Sequence, residues 1–224
     1  MVTVITLDGP TSSGKGTISR TVAARLRWHL LDSGALYRLV ALSGQQLGLE
    51  PDNILGHAAA ALDLDAAFGA VQDEERIWLA DRDVTAQVRT AQAGMGASRV
   101  AAWPAVRNAL LDRQRRFARE PGLVADGRDM GTVVFPDALL KVFLTASPDE
   151  RARRRHKQLK DKGSGVSLAA LSREIAERDL KDSTRAVAPL EPAADAHVID
   201  STHLDIQDVV EQVLALGRGR SLWP

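Results

Sequence analysis

Residues 9–17 have the sequence Gly9-Pro10-Thr11-Ser12-Ser13-Gly14-Lys15-Gly16-Thr17, where a glycine and four further residues precede Gly14-Lys15. This is the spacing of a phosphate-binding loop. An apolar, β-branched run over residues 2–8 precedes the loop, and apolar side chains at helical spacing follow it. Backbone N–H groups and the positive end of such a helix bind phosphate oxygens, and the lysine reaches the β- and γ-phosphates of ATP. We therefore predict that all nine residues bind ATP, in preference to a glycine-rich turn with a solvated lysine.

Strand-like and helix-like segments alternate outward from this loop. The strand-like segments are residues 2–8, 28–32, 123–126, 139–144 and 196–199. Because such alternation is typical of a parallel sheet covered by helices on both faces, we predict an α/β fold with a central parallel sheet of about five strands. Residues 60–97 interrupt the alternation and predict a small insert with short strands.

Composition and charge exclude several classes of protein. The 224 residues are 45% hydrophobic and 26% charged, as in a globular domain, and they contain no cysteine for disulfides or zinc–thiolate sites. The formal net charge is zero, which disfavours a protein that coats nucleic acid or an anionic membrane. No apolar run in the sequence is long enough to span a bilayer, and the N-terminus lacks the basic region of a signal peptide. We expect a cytoplasmic monomer with no nucleic-acid or membrane partner.

Arginines follow two of the predicted strands. Arg38 comes shortly after the second strand-like segment, and Arg128 comes shortly after the third. Since the carboxyl ends of parallel strands form the ligand-binding edge of a sheet, we expect both arginines near the phosphate loop. Arg178 and Arg185 lie close together further along the chain. Arginines from separate segments suit a site that holds two phosphorylated substrates together.

Four segments make the chain resemble the bacterial cytidylate kinases, which phosphorylate CMP and dCMP with ATP. The four segments are residues 9–17, 31–38, 126–136 and 177–190. The third is long and specific, with the sequence Asp-Gly-Arg-Asp-Met-Gly-Thr-Val-Val-Phe-Pro. The resemblance implies the fold of the P-loop nucleoside monophosphate kinases in a single kinase domain over residues 1–224. It also implies a nucleoside-monophosphate-binding insert at residues 60–97 and a lid at residues 149–166.

Roles for individual residues follow from the resemblance. In the family, the positions of Arg38 and Arg128 grip the acceptor phosphate, and those of Ser98, Arg107 and Asp129 contact cytosine. Further predicted CMP-binding residues are Ser33, Tyr37, Arg178, Asp182 and Arg185, of which the last three match the family's ribose and phosphate contacts. The predicted catalytic residues are Lys15, Arg128, Arg151, Arg155 and Arg185.

The chemistry of the base agrees with the predicted cytosine contacts. Cytosine presents an amino donor at N4 and acceptors at N3 and O2, so Asp129 can accept from N4 while Arg107 and Ser98 donate. Uracil presents an acceptor and an N–H group at the corresponding positions, which would leave buried polar groups unpaired. We therefore predict that UMP is a poor substrate. The structural alternatives are a helix cap for Asp129 or Ser98, a pairing of Asp129 with Arg128, and a surface position for Arg107.

Residues 151–162 are strongly basic and lie where the family has its lid. Seven of these twelve residues are lysine or arginine, and Gly163-Ser164-Gly165 follows as a flexible break. Closure of such a segment over ATP would bring arginines onto the transferring phosphoryl group and expel water. We predict this role for Arg151 and Arg155, and a solvated helix face is the alternative for most of the others.

The predicted acceptor is a phosphate, and this removes the need for a general base. A phosphate monoester has its second pKa at about 6, so the attacking oxygen is ionised at neutral pH. The site must align two phosphates and neutralise their charge with arginines, Lys15 and Mg²⁺. We predict that Thr17 and Asp126 hold Mg²⁺ through water, and that the γ-phosphoryl group passes in line from ATP to CMP or dCMP. The alternatives are a kinase of UMP or dTMP, and a P-loop regulator that binds ATP without catalysis.

Overall fold

A computed structural model of the protein describes residues 2–71, 74–161, 163 and 165–223. Residues 72–73 of the predicted insert, Lys162 and Ser164 of the predicted lid, and Pro224 lie outside the described residues. The chain divides into two compact units, which we call the first unit (Met1–Asp32 with Arg115–Pro224) and the second unit (Ser33–Gln114). Within the described residues, no helix combines the length and apolar character needed to cross a membrane.

Strands and helices alternate along the chain. The strands are β1 Val4–Asp8, β2 His29–Asp32, β3 Ala66–Val71, β4 Glu74–Leu79, β5 Arg82–Asp83, β6 Leu123–Asp126, β7 Leu140–Thr145 and β8 His197–Asp200. The helices are α1 Lys15–Leu26, α2 Ser33–Gln46, α3 Ile54–Leu62, α4 Thr85–Val88, α5 Ala91–Val100, α6 Pro104–Arg115, α7 Pro148–Lys160, α8 Leu168–Thr184 and α9 Ile206–Arg218. A π-helical turn, Met130–Val134, lies between β6 and β7.

The first unit is built on a parallel sheet whose described strands run in the order β2-β6-β1-β7-β8. Each predicted strand segment forms one of these five strands, so the predicted α/β fold with a central parallel sheet is confirmed. All five residues of the central strand β1 are buried. This burial on both faces explains why the strand shows no regular alternation of polar and apolar residues.

The core of the first unit holds the carboxyl ends of β1 and β7 in place. Helices α1 and α9 pack together against the sheet and bury a continuous apolar cluster. Its members include Ile5, Leu7, Ile18, Val22, Leu140, Val142, Leu144, Val209, Val210 and Val213. Full burial of one such side chain stabilises the fold by about 1.5–3 kcal/mol. The cluster therefore fixes the position of the strand ends next to the phosphate loop.

The second unit combines packed helices with a small antiparallel sheet in the order β3-β4-β5. These are the short strands expected within residues 60–97, and the role of that segment as a binding insert stays a prediction. Helices α2 and α5 pack closely, because a Cβ atom on Gly96 would lie only 2.9 Å from the Cβ of Ala41. His57 fills the core beside them, with its Nδ1 2.8 Å from the Asn53 carbonyl oxygen.

Candidate active site

Residues 9–17 form the loop between β1 and α1. Gly9 (φ 145°) and Gly14 (φ 96°) adopt conformations that favour glycine, and Ser12 also has a positive φ of 59°. A Cβ atom on Gly9 would lie 2.0 Å from the Leu144 carbonyl oxygen, so the loop leaves β1 in close contact with β7. The loop leads directly into the amino terminus of α1, where N–H groups and the helix dipole favour a bound phosphate.

Lys15 is buried in this loop, with 5% of the residue exposed. Its Nζ donates hydrogen bonds to the Pro10 carbonyl oxygen at 2.7 Å and to Ser13 Oγ at 3.4 Å. Burial, together with the nearby Arg128 guanidinium, lowers the pKa of the Lys15 amine to about 7. A bound phosphate would offset both effects, so Lys15 is placed to take up a proton when an anion enters the loop.

Arg151 of α7 braces the phosphate loop from outside. It is 4% exposed and donates to the Thr11 carbonyl oxygen at 3.2 Å. Its guanidinium also forms a two-pronged ion pair with Asp179 of α8, at 3.0 and 2.5 Å. Buried arginine–carboxylate pairs of this kind fix orientation as well as charge. The predicted catalytic residue Arg151 therefore lies against the phosphate loop and joins it to α8.

Two other arginines of α7 differ in what they contact. Arg154, which the sequence analysis did not select, donates to the Ser13 carbonyl oxygen at 3.4 Å and to Ser201 Oγ at 3.0 Å. Arg155, which it did select, donates to Gln158 Oε1 of its own helix at 2.8 Å. Arg154 thus contacts the backbone of the phosphate loop, whereas the side chain of Arg155 is hydrogen-bonded to another residue of α7.

Residues 126–131 follow β6 and carry two of the predicted acceptor residues; we call them the acceptor segment. Arg128 Nε donates to Asp182 Oδ2 at 3.1 Å, and Arg185 Nη2 lies 3.8 Å from Asp129 Oδ1. Asp182 lies near the end of α8, and Arg185 caps that helix. These four predicted residues therefore come together as two oppositely charged pairs, and none has a side chain more than 23% exposed.

Asp129 occupies the N-cap position of the π-helical turn, but its side chain makes no capping hydrogen bond, and the amides of Met130 and Gly131 donate to Asp8 instead. Two other alternative roles from the sequence analysis are wrong. Ser98 lies inside α5, whose N-cap is Thr90. Arg107 is only 7% exposed, which excludes a solvated surface position.

Arg107 and Tyr37 meet within the second unit. The guanidinium carbon of Arg107 lies 5.9 Å from the centroid of the Tyr37 ring, and Arg107 Nη1 donates to the Ala101 carbonyl oxygen at 3.3 Å. Tyr37 is 6% exposed. An arginine stacked on an aromatic face is held in one orientation. Both predicted CMP-binding residues are therefore well ordered by their neighbours.

Two more predicted residues of the second unit make hydrogen bonds to its backbone or side chains. Ser33 Oγ donates to Gln114 Oε1 at 2.7 Å. Arg38 Nη1 donates to the Val88 and Thr90 carbonyl oxygens at 2.8 and 3.1 Å. These bonds orient the guanidinium group of Arg38.

Asp126 ends β6 beside Asp32, the last residue of β2. Burial, with a smaller contribution from the Asp32 carboxylate, raises the pKa of the Asp126 carboxyl to about 6 against the opposing effect of Lys15. Asp126 Oδ2 lies 3.4 Å from the position of a Cβ atom on Gly16, so this carboxylate approaches the start of α1. Thr17 is exposed in the first turn of that helix.

This donor set fits Mg²⁺ that keeps much of its water. Mg²⁺ is commonly held by one or two carboxylates with phosphate oxygens and water rather than by an all-protein cage. Across the described residues, no group of three or more histidine, aspartate or glutamate side chains is arranged to enclose a metal ion. Asp126 and Thr17 therefore suit a metal that arrives with a phosphorylated ligand.

Sequence reasoning missed three residues of this site: Asp8, Asp179 and Arg154. Asp8 accepts hydrogen bonds from the Met130 and Gly131 amides, and burial raises the pKa of its carboxyl to about 7 in spite of those two bonds. A signal for Asp8 was present, because a carboxylate at the end of a buried strand requires a partner. Asp179 and Arg154 carry no such local signal, since their partners come from other elements.

The family model described as cytidylate kinase matches residues 5–218. The cytidylate kinase of Pseudomonas syringae pv. tomato is 58% identical over 214 residues, which cover 95% of this chain and 93% of that protein. The cytidylate kinase of Methylococcus capsulatus is 54% identical over 215 residues, covering 96% of both chains. That of Stutzerimonas stutzeri is 54% identical over 223 residues, covering 99% of this chain and 97% of the other. The family model spans all four segments on which the resemblance rests, and this chain belongs to the cytidylate kinase family.

Proposed function

We propose that this chain transfers the γ-phosphoryl group of ATP to CMP and dCMP, giving ADP with CDP or dCDP. The observation that carries the proposal is the pairing of Arg128 with Asp182 and of Asp129 with Arg185 in a buried cluster. This cluster offers cationic donors for a phosphate and a carboxylate for the amino group of a base. Membership of the cytidylate kinase family supports the same substrates.

On the donor side, residues 9–17 bind the phosphates of ATP. Loop N–H groups and the start of α1 contact the phosphate oxygens, and Lys15 contacts the β- and γ-phosphates. Arg151 and Arg154 support this role, because they hold the carbonyl groups of Thr11 and Ser13. A loop that is already braced loses little conformational entropy when ATP binds.

On the acceptor side, arginines bind the phosphate of CMP. Arg128 can bond a phosphate and Asp182 together, because a guanidinium has five N–H donors. Arg38, Arg178 and Arg185 complete the cationic set, and Asp182 also contacts the ribose. The acceptor oxygen is already ionised, so these residues align the two phosphates and neutralise charge without a general base.

Asp129, Arg107 and Ser98 recognise the base, and Ser33 and Tyr37 are further CMP-binding residues in this proposal. Asp129 accepts from the cytosine amino group, and Arg107 and Ser98 donate to N3 and O2. The support is burial: Asp129 is 2% exposed and Arg107 is 7% exposed. Charged side chains are rarely buried unless they pair or bind a ligand.

Residues 149–166 act as a lid over ATP, with Arg151 and Arg155 directed at the transferring phosphoryl group. The position of Arg151 against the phosphate loop supports its part in this arrangement. Arg155 reaches the phosphoryl group only by exchanging its hydrogen bond with Gln158, so its part requires movement of α7 or of the side chain.

Thr17 and Asp126 hold Mg²⁺ through water. When bound, the ion neutralises charge on the β- and γ-phosphates of ATP. We also propose that the protein acts as a cytoplasmic monomer without nucleic-acid or membrane partners, and its formal net charge of zero supports this view.

The test is ADP formation from ATP and Mg²⁺ with a panel of CMP, dCMP, UMP, dTMP, AMP and GMP. We expect fast turnover confined to CMP and dCMP. Asp129→Ala should lose that turnover or broaden it to UMP, while the control variant Asp52→Ala, at an exposed position, keeps it. Fast turnover of another nucleotide would overturn the cytosine assignment, and ATP hydrolysis with no acceptor dependence would favour a regulator.

A further inference from the structure

Strand β1 ends in a buried acid to which the reaction above gives no part. Asp8 is 5% exposed, and both of its carboxylate oxygens accept backbone hydrogen bonds. Met130 N–H donates to Oδ1 and Gly131 N–H donates to Oδ2, each at 2.8 Å. Both distances are those of well-formed N–H···O hydrogen bonds. Asp8 therefore holds the far end of the acceptor segment.

The same strand also holds the near end of the acceptor segment. The Leu7 carbonyl oxygen accepts a hydrogen bond from Gly127 N–H at 3.1 Å. Arg128 and Asp129 thus lie between two anchors that come from adjacent residues of β1. A segment this short, tied at both ends, has little freedom to reorient its side chains.

Close packing also restricts the backbone conformation of the acceptor segment. A Cβ atom on Gly131 would lie 2.9 Å from Thr6 Oγ1 and 3.1 Å from Lys141 Cδ. A Cβ atom on Gly127 would lie 2.7 Å from Met130 Cγ. Both glycines let the segment lie directly on its neighbours, so a change in its anchor must move Arg128 and Asp129 as well.

Asp8 is also the residue from which the phosphate loop starts. The next residue, Gly9, turns sharply at φ 145° with its Cα against the Leu144 carbonyl group. The main chain of Asp8 therefore leads into the loop that binds ATP, and its side chain fixes the segment that binds the acceptor.

We propose that Asp8 is a positioning residue that sets the acceptor segment against the phosphate loop, so that Arg128 and Asp129 meet the acceptor nucleotide in line with the donor phosphate. The inference rests on the proposed reaction. A carboxylate with a purely structural role would affect the stability of the protein and would affect the binding of ATP and of CMP to the same extent. A positioning carboxylate affects mainly the acceptor side.

The test compares Asp8→Asn with Asp200→Asn. The first variant keeps the shape of the side chain but leaves one oxygen for two N–H groups. The second is a matched control, because Asp200 also ends a strand and accepts a backbone hydrogen bond, from Thr202 N–H at 2.9 Å. For each variant we would measure kcat and KM for CMP and for UMP, the Kd of ATP by calorimetry, and the thermal midpoint.

We expect Asp8→Asn to lower kcat/KM for CMP by about 10–100-fold, the cost of misplacing a reacting group. The ratio of kcat/KM for CMP to that for UMP should decrease. The Kd of ATP should change by less than about threefold, which is small because a tenfold change in Kd corresponds to about 1.4 kcal/mol. Asp200→Asn should behave as the wild type. Equal losses of ATP and CMP affinity with an unchanged CMP preference would overturn the positioning role, as would normal kinetics in Asp8→Asn.

A second variant keeps the inference testable if Asp8→Asn does not fold. Gly131→Ala crowds Thr6 and Lys141 and displaces the same segment without touching Asp8. It should reproduce the loss on the acceptor side with ATP binding kept, and normal CMP kinetics would contradict the inference. A wild-type protein that does not phosphorylate CMP would instead refute the proposed function, so the two failures can be told apart.

Discussion

The phosphate loop and the acceptor segment lie at the ends of neighbouring strands, β1 and β6, yet they are held in different ways. The phosphate loop has positive φ angles at Gly9, Ser12 and Gly14 and a local hydrogen bond from Lys15 to Pro10, and distant arginines add contacts only to its backbone carbonyl groups. The acceptor segment is held by side chains far away in the sequence. Asp8 is 122 residues from Met130, and Asp182 is 54 residues from Arg128.

The difference shows how far the ATP-binding loop and the CMP-binding segment each depend on the rest of the chain. A loop with local geometry can form wherever a strand and a helix meet, and its chemistry is carried by a contiguous stretch. A segment with distant anchors works only when the complete sheet and α8 are assembled. Damage to the loop should therefore affect ATP first, and damage to the anchors should affect CMP first.

Removal of the loop lysine should have the largest effect. Lys15→Met takes away the cation that contacts the transferring phosphoryl group, and we expect kcat to fall by about 10³-fold, as for loss of a preorganised charged donor. Steady-state ADP formation would measure it. Lys181→Met, at an exposed position of α8, is the control and should keep wild-type kcat. A loss of less than about tenfold in Lys15→Met would mean that other cations carry the donor site.

The acceptor cluster should give the next largest effect. We expect Arg128→Ala to lower kcat/KM for CMP by about 10²-fold and Asp182→Asn by about tenfold, since loss of a charged hydrogen bond costs about 1.5–3 kcal/mol. The double variant should lose less than the product of the two, because the pair is in direct contact. Kinetics of all three variants would form the double-mutant cycle. Strict additivity would contradict a functional role for the Arg128–Asp182 pair.

Crowding the start of the phosphate loop should cost stability. Gly9→Ala forces a Cβ atom to within 2.0 Å of the Leu144 carbonyl oxygen, and the backbone must shift to admit it. We expect the free energy of unfolding to fall by about 2 kcal/mol, as for other overpacked sites. Urea denaturation would measure it. Gly165→Ala is the control, because among the described residues no heavy atom lies within 4 Å of the added Cβ.

The buried charges should also make the stability of the protein depend on pH. Burial raises the pKa of Asp8 from 3.8 to about 7, so between these values the folded protein binds more protons than the unfolded one. This contribution to the free energy of unfolding therefore falls as the pH rises from 4 to 7. Burial lowers the pKa of Lys15 from 10.5 to about 7, and its contribution rises as the pH increases from 7 to 10.

Asp8→Asn separates the two contributions. The variant lacks the acid, so its stability relative to the wild type should be greater at pH 8 than at pH 5. Urea midpoints of both proteins at the two pH values would measure the change. Equal relative stabilities at the two pH values would show that Asp8 is ionised throughout this range in the folded protein.

Local signals were enough to predict the strands, the phosphate loop and the family. Strand β1 and the loop after it are contiguous, and the alternation of strands and helices follows from hydrophobic periodicity. The same signals failed for single side chains. Ser98 was given a helix cap as an alternative, although Thr90 is the N-cap of α5. Asp129 does lie at an N-cap position, but Asp8 accepts the N–H groups there.

The amino-acid sequence alone was sufficient for the α/β fold, the ATP loop and the cytidylate kinase resemblance, because each depends on residues that lie next to one another in the chain. The partners of Arg128, Asp129 and Arg151 became known from the folded structure, because Asp182, Arg185 and Asp179 reach them only after α8 has packed. Burial of Asp8 and its two amide hydrogen bonds likewise depend on the assembled sheet. A hydrogen bond between distant residues leaves no periodic trace in a single sequence, so its existence depends on the packing that brings the two groups together.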